Sequence, residues 1–204
     1  MSKNIINRAL IKIGENTISS IEQQPYGEML GLIYEAGRRH LLSSHFWRFA
    51  IKRAKLARLN EDTESVMFPY AYALPNDYLM MKDFEEAYKQ PNLNDMILSS
   101  DERYTIEGNR LLTRYEKKDA IIYICDEKDE NHFLPCFIEA LISWIAAEAC
   151  VTIKNDLQYK QIFLAETEKY IMQAQLNNEI LRDSESLPDN SWITCREICE
   201  DSHR

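Results

Sequence analysis

The sequence predicts an α+β fold: a helical bundle of about four helices drawn from both chain ends, an inserted antiparallel β meander and a flexible C-terminal tail. Three observations predict it. Apolar residues recur at helical spacing in residues 1–45 and again in 129–182. They alternate with period two in parts of 46–128. From Asp183 the composition turns to Ser, Asp, Glu and Pro. These changes divide the chain into an N-terminal helical pair (1–45), an inserted β layer (46–128), a C-terminal helical hairpin packed on the first pair (129–182) and a tail (183–204).

Ser2 is placed to cap a first helix whose Ile5, Ile6, Ala9, Leu10 and Ile13 share one face, and Gly14 stops it. Ile18 and Ile21 are the packing anchors of the linker that follows. Pro25 opens a second helix reaching about Ser44, with Met29, Ile33, Ala36 and Leu41 as its apolar stripe. Gly27, Gly31 and Gly37 each weaken that helix by about 1 kcal/mol relative to alanine, so it needs tertiary support and admits a close neighbour. After His45 the period changes. Phe46, Trp47 and Phe49 form a core junction between helix and strand. Phe68, Tyr70, Tyr72 and Leu74 then alternate, and Pro69 and Pro75 confine that strand to an edge. Further strands are expected at Tyr78–Phe84, Met96–Ser99, Tyr104–Glu107, Arg110–Tyr115 and Ala120–Cys125, with Gly108-Asn109 as a two-residue hairpin turn.

Helical spacing returns at Leu134. Pro135 suits a first turn, and Phe137, Ile138, Leu141, Ile142, Ile145 and Ala149 make a broad apolar face. Glu139 and Glu148 interrupt this stretch, which reads as a buried helix and as too polar for a membrane span. A break at Lys154-Asn155-Asp156, with Asn155 and Gln158 resembling a capping box, leads into a last helix from about Asp156 to Arg182. The N-terminus has no apolar core or cleavage site of an export signal, which places synthesis and residence in the cytoplasm.

The net charge of −9 disfavours a simple nucleic-acid binder. Its distribution is uneven. Between Arg38 and Asn60 stand Arg38, Arg39, Arg48, Lys52, Arg53, Lys55 and Arg58 with no Asp or Glu among them. Arg38, Arg39, Arg48, Lys52, Arg53 and Arg58 are read as a subunit or partner interface, meeting an acidic surface. Trp192 and Ile193 are unusual residues to leave in water and are expected to dock the tail on a partner.

Enzymatic signals are poor. Phosphate-cradling glycine loops and the G-x-S-x-G nucleophile turn are missing from the sequence. His40, His45, His132 and His203 belong to no local catalytic signature. The five cysteines are odd in number and scattered, against a disulfide framework, and Cys136 and Cys150 read as small core residues. On a helix Cys195, Cys199 and His203 would face one way, but a tetrahedral zinc site needs a fourth ligand. No metal, cofactor or catalytic residue is assigned. Glu85-Glu86, and Glu166 with Glu168, are read as solvated charges.

Three segments together resemble the tail tubular protein A family of short-tailed bacteriophages and the related tail accessory factors. The first is Asn4–Glu15 with Ile18–Glu22. The second is Leu41–Ala50, ending Trp47-Arg48-Phe49-Ala50. The third is Tyr72–Leu79, followed by Tyr104–Gly108 and then Leu134-Pro135. Part of Met81–Asp101 and the Cys-containing tail fall outside the resemblance. What it implies is a structural head-to-tail connector, a ring of twelve copies beneath the portal. Such a ring extends the DNA channel and attaches the tail nozzle, and its C-terminal segments grip the portal. DNA would pass without sequence-specific binding, no membrane would be involved, and the protein would reside in the virion. The alternative that the resemblance raises is a tail-associated peptidoglycan hydrolase.

Overall fold

A helix that is apolar on every side has to be covered on every side. Residues Pro135–Lys154 form such a helix, α3, and bury Phe137, Ala140, Leu141, Ile142, Ser143, Ile145, Ala146, Ala147, Ala149 and Cys150 around its circumference. A computed structural model of the chain describes residues 3–19, 26–59, 65–84, 104–114 and 120–180. It is a mixed α/β fold in which α3 packs against α1 (Lys3–Lys12), α2 (Gly27–Leu42) and α4 (Leu157–Ile180). By length and mean hydropathy alone α3 passes the test for a membrane span, contrary to the sequence expectation, yet its apolar surface is spent on these neighbours.

Each helix ends for a local reason. Gly14, at φ +76°, takes the left-handed conformation that closes α1, and the Glu15 amide bonds back to the Leu10 carbonyl at 2.9 Å. The chain is then clipped by Asn7. Its side-chain oxygen accepts from the Ile18 amide at 2.9 Å and its amide nitrogen donates to the Ile18 carbonyl at 3.2 Å, fixing buried Ile18 as expected. Pro135 occupies the first turn of α3 as predicted. Asn155, at φ 54°, ends that helix, but the cap of α4 is its neighbour. The Asp156 carboxylate accepts from the amides of Gln158 at 2.9 Å and Tyr159 at 3.3 Å. Ser2, Ile21, Pro25 and the Met96–Ser99 strand lie outside the described residues.

The buried side of α2 differs from the expected stripe. Leu30, Tyr34, Leu41 and Leu42 are buried with Gly27, Gly31, Gly37 and Arg38, whereas Met29 and Ile33 are half-buried and Ala36 is exposed. Gly37 constrains this rotation. A Cβ at Gly37 would sit 2.3 Å from Trp144 Cδ1 and 2.7 Å from its Nε1, so only glycine lets α3 come so close.

The β layer is also not one meander. Among the described residues six strands make two three-stranded antiparallel sheets, β1-β6-β3 and β2-β5-β4, from β1 (Ile51–Lys55), β2 (Tyr70–Ala73), β3 (Tyr78–Phe84), β4 (Tyr104–Glu107), β5 (Arg110–Thr113) and β6 (Ala120–Cys125). The predicted Gly108-Asn109 hairpin joins β4 to β5, with Gly108 at φ +59° and Glu107 opposite Arg110. Elsewhere sheet neighbours are distant in sequence. The cause is β6, whose Ala120, Ile121, Tyr123, Ile124 and Cys125 are buried. A strand apolar on both faces belongs at the centre of a sheet. Ile51 lies opposite Ile124 on one side of β6, and β3 pairs along the other with two register shifts. Just past β1 the chain crosses to the second sheet, where the Leu59 amide bonds to the Ala71 carbonyl at 2.9 Å.

The helix–strand junction is tied from two directions. Trp47 is fully buried; its indole N–H donates to the Leu41 carbonyl at 2.8 Å and its ring meets Phe137 edge-on at 5.2 Å. Phe49 is half-buried against Phe133 and Phe137, while Phe46, expected in the core, is 37% exposed. Its backbone is what the fold uses. Buried Asn178, near the end of α4, accepts from the Arg48 amide at 2.8 Å and donates to the Phe46 carbonyl at 3.1 Å.

Gly37→Ala should destabilise the fold by up to about 2 kcal/mol, because overpacking costs about 1–3 kcal/mol and the gain in helix propensity returns about 1. A urea unfolding midpoint read beside wild type checks this; an equal or higher midpoint would mean that Trp144 moves aside without cost.

Candidate functional site

The basic run between α2 and the second sheet separates into residues the fold consumes and residues it leaves outside. Arg38, expected on a partner surface, is 1% exposed. Its guanidinium donates to the Asp126 carboxylate at 2.6 Å, the Glu35 carboxylate at 2.6 Å and the Glu127 carbonyl at 2.5 Å. Burial opposes its charge, but these carboxylates outweigh burial and raise its pKa. One helical turn earlier, the Tyr34 hydroxyl donates to Glu130, and burial followed by that contact pushes its phenol up. Arg38 and Tyr34 therefore lock α2 onto the segment leading from β6 into α3. Arg38 is structural, and an interface role does not suit a side chain without access to solvent.

Lys52 is exposed yet paired, with Nζ 2.9 Å from Asp77, which also accepts from the Tyr123 hydroxyl at 2.9 Å. Burial works against ionised Asp77, but the bonds from Lys52 and Tyr123 prevail and hold its carboxyl below the usual range. Tyr123 is pushed up to about 12, by burial first and then by Asp77. The Lys52 ammonium is raised chiefly by its bond to Asp77. Arg39 lies outside with Nε 3.9 Å from Asp126, and the Arg58 guanidinium lies over the Tyr70 ring at 4.9 Å. Arg48, Arg53 and Lys55 are exposed on the turn before β1 and on β1 itself. Of the expected interface set, Arg39, Arg48, Lys52, Arg53 and Arg58 thus reach the surface, and Arg38 does not.

The histidines have structural surroundings. His40 stacks on Trp144 with ring centroids 4.6 Å apart, His45 Nε2 lies 3.3 Å from Asn178 Nδ2, and His132 faces Glu127 at 3.4 Å. Cys150 is buried as expected and Cys136 half-buried. Among the described residues no group of three His, Cys, Asp or Glu side chains is arranged to hold a metal ion. Glu166 pairs with Lys12 at 2.5 Å, whereas Glu168 is exposed. Glu85, Glu86, Trp192, Ile193, Cys195, Cys199 and His203 lie outside the described residues.

A cleft of about 430 Å³ opens where α1 meets the α3–α4 turn, lined by Lys12, Gly14, Cys150, Lys154, Tyr159 and Phe163. Its cations are committed. Lys12 bonds Glu166 and, at 2.8 Å, the Ser143 hydroxyl, and Lys154 pairs with Glu15 at 2.5 Å. Burial raises the pKa of the Cys150 thiol.

The sequence reading missed the outer face of α4. Phe163, Thr167, Ala174 and Asn178 form the buried side of this helix. Opposite them run Ile162, Ala165, Met172, Leu176 and Ile180, and Met172, Leu176 and Ile180 are 62%, 65% and 78% exposed. At helical spacing these residues make a stripe about 27 Å long, interrupted by Lys169. Single exposed apolar residues are ordinary, but a stripe along one helix marks a contact surface. Its signal was present as apolar residues on two opposite sides of a single predicted helix.

Two measurements check these assignments. Arg38→Met should lower stability by about 1–3 kcal/mol in urea unfolding, since it leaves half-buried Asp126 and the Glu127 carbonyl without their buried partner; a loss under about 0.5 would mean that water replaces the guanidinium. Asp77 is held low, so its contribution is present above the unfolded carboxylate pKa near ~4 and is lost as pH falls through the folded value. Lys52 is raised, so its share is present below about pH 10 and is lost as pH climbs through the folded value. Asp77→Asn should therefore flatten both limbs of a thermal-stability profile against pH, and a variant parallel to wild type would contradict the pairing. Scanned against protein-family models the sequence matches none, and compared with curated proteins it again finds no match.

Proposed function

We propose that this chain is a subunit of an adaptor ring between the portal and the tail of a short-tailed bacteriophage. The four described helices form one bundle that carries the sheets as an insertion, and the bundle makes the subunit contacts. The observation that carries this reading is the apolar stripe of α4, turned away from its own core. A ring is closed by heterologous contacts, each copy presenting one surface to a different surface of the next, and an exposed apolar element of this kind supports such a contact. The resemblance in the sequence supplies the rest of the proposal. About twelve copies surround a channel through which DNA passes without sequence-specific binding, the portal lies above and the tail nozzle below, and Trp192 and Ile193 reach the portal. The net charge of −9 suits a lumen that must not hold phosphates. No chemistry is assigned to any residue.

Mixing the purified chain with its portal and viewing the mixture by negative-stain microscopy should give rings capping the portal. Leu176→Glu should leave the helical circular-dichroism signal unchanged and lower ring formation at least about tenfold, as one charge buried in an apolar contact costs more than 1.4 kcal/mol. Rings formed equally well by the variant would remove α4 from the contact. Unassembled monomers that clear a cell-wall suspension would replace the adaptor reading with the hydrolase.

A further inference from the structure

We propose that the acidic C-terminal segment of this chain, residues 183–204, docks in cis along the basic outer edge of β1. This stands whether or not the chain forms a ring. The first argument is where the segment starts. Asn178 bonds the Arg48 amide at 2.8 Å and the Phe46 carbonyl at 3.1 Å, so the chain leaves α4 beside the turn that leads into β1. The second is charge. Arg48 and Lys55 are exposed along that turn and strand, beside Lys52, whose ammonium is shared with Asp77. The segment carries Asp183, Glu185, Asp189, Glu197, Glu200 and Asp201 against Arg196 and Arg204. Opposite charges held close by the chain itself meet at high effective concentration, which strengthens weak contacts without new ones.

The third argument is the edge. β1 pairs with β6 on one side, and among the described residues no strand pairs with its other side. A free edge presents backbone N–H and C=O groups to any extended segment nearby. The run Ser191-Trp192-Ile193-Thr194-Cys195 is rich in residues that favour strands and is as long as β1. Reach is ample. The ten residues from Leu181 to Asn190 span up to about 33 Å when extended, against about 17 Å for a five-residue strand. A partner binding the docked segment would first have to draw it off.

Hydrogen exchange on the full chain tests this. At low salt, amides of residues 191–195 should exchange at least about tenfold more slowly than in a free peptide of the same sequence. That protection should fall in ~1 M salt, where charges are screened beyond about 3 Å. The double variant R48E/K55E should lose it while the amides of α3 stay protected, which shows that the fold is intact. Trp192→Ala, which alters only the segment, should lose it as well. Exchange at the free-peptide rate in wild type at low salt would overturn the proposal, as would protection untouched by the charge reversal. Protection that rises with protein concentration would place the segment on a second copy and overturn docking in cis.

Discussion

The fold depends on covering α3. Twenty residues with buried positions around the whole circumference leave no side for water, so α1, α2 and α4 are arranged by what they cover. This one requirement explains features that look unrelated. Gly37 is present because Trp144 of α3 occupies the place where a side chain would be. Arg8 and Lys12 of α1 meet Glu139 of α3 and Glu166 of α4, and Glu15 meets Lys154, so charges line the rim of the apolar contact. Half-exposed pairs of this kind contribute little to stability, about 0–1 kcal/mol each, and serve mainly to set the orientation in which the apolar faces meet.

Packing alone leaves the joints undetermined, and three polar side chains settle them. Asn7 fixes the end of the first linker, Asn178 holds the backbone on either side of Trp47, and Arg38 holds the segment between β6 and α3. Each satisfies main-chain or carboxylate groups that burial would otherwise leave without partners, at a cost of about 1–3 kcal/mol per group. Arg38 and Asn178 also join parts of the chain remote in sequence. Asn178 makes the end of the last helix responsible for the geometry of the first strand.

Element types were largely legible in the sequence, because periodicity reports burial and burial follows secondary structure. Gly14, Pro135, the Gly108-Asn109 hairpin and the break at Asn155 appear where the residues imply them. What was not legible came from tertiary competition. The sequence shows that α2 has glycines and apolar residues, but which set faces the core depends on how close α3 approaches. Strand order was hidden for a similar reason. Chain order suggests a meander, while the two-faced burial of β6 moves it to the centre of its sheet. Arg38 read as one more positive charge in a basic run, since its partners Asp126 and Glu127 lie far along the chain.

The same competition explains why net charge is a poor guide to the surface. A composition of −9 suggests a uniformly acidic molecule. Several of its carboxylates, however, are turned toward their own cations: Asp126 toward Arg38, Asp77 toward Lys52, Glu166 toward Lys12. What reaches solvent is therefore set by pairing and not by composition. Along the turn before β1 and on β1 it is basic, and along the outer side of α4 it is apolar over five positions at helical spacing. The two surfaces differ in the physics of what they hold. A charged strand edge attracts at a distance and weakens with salt, whereas an apolar helix stripe acts only at contact and is insensitive to salt. A partner engaging both is steered by the first and retained by the second.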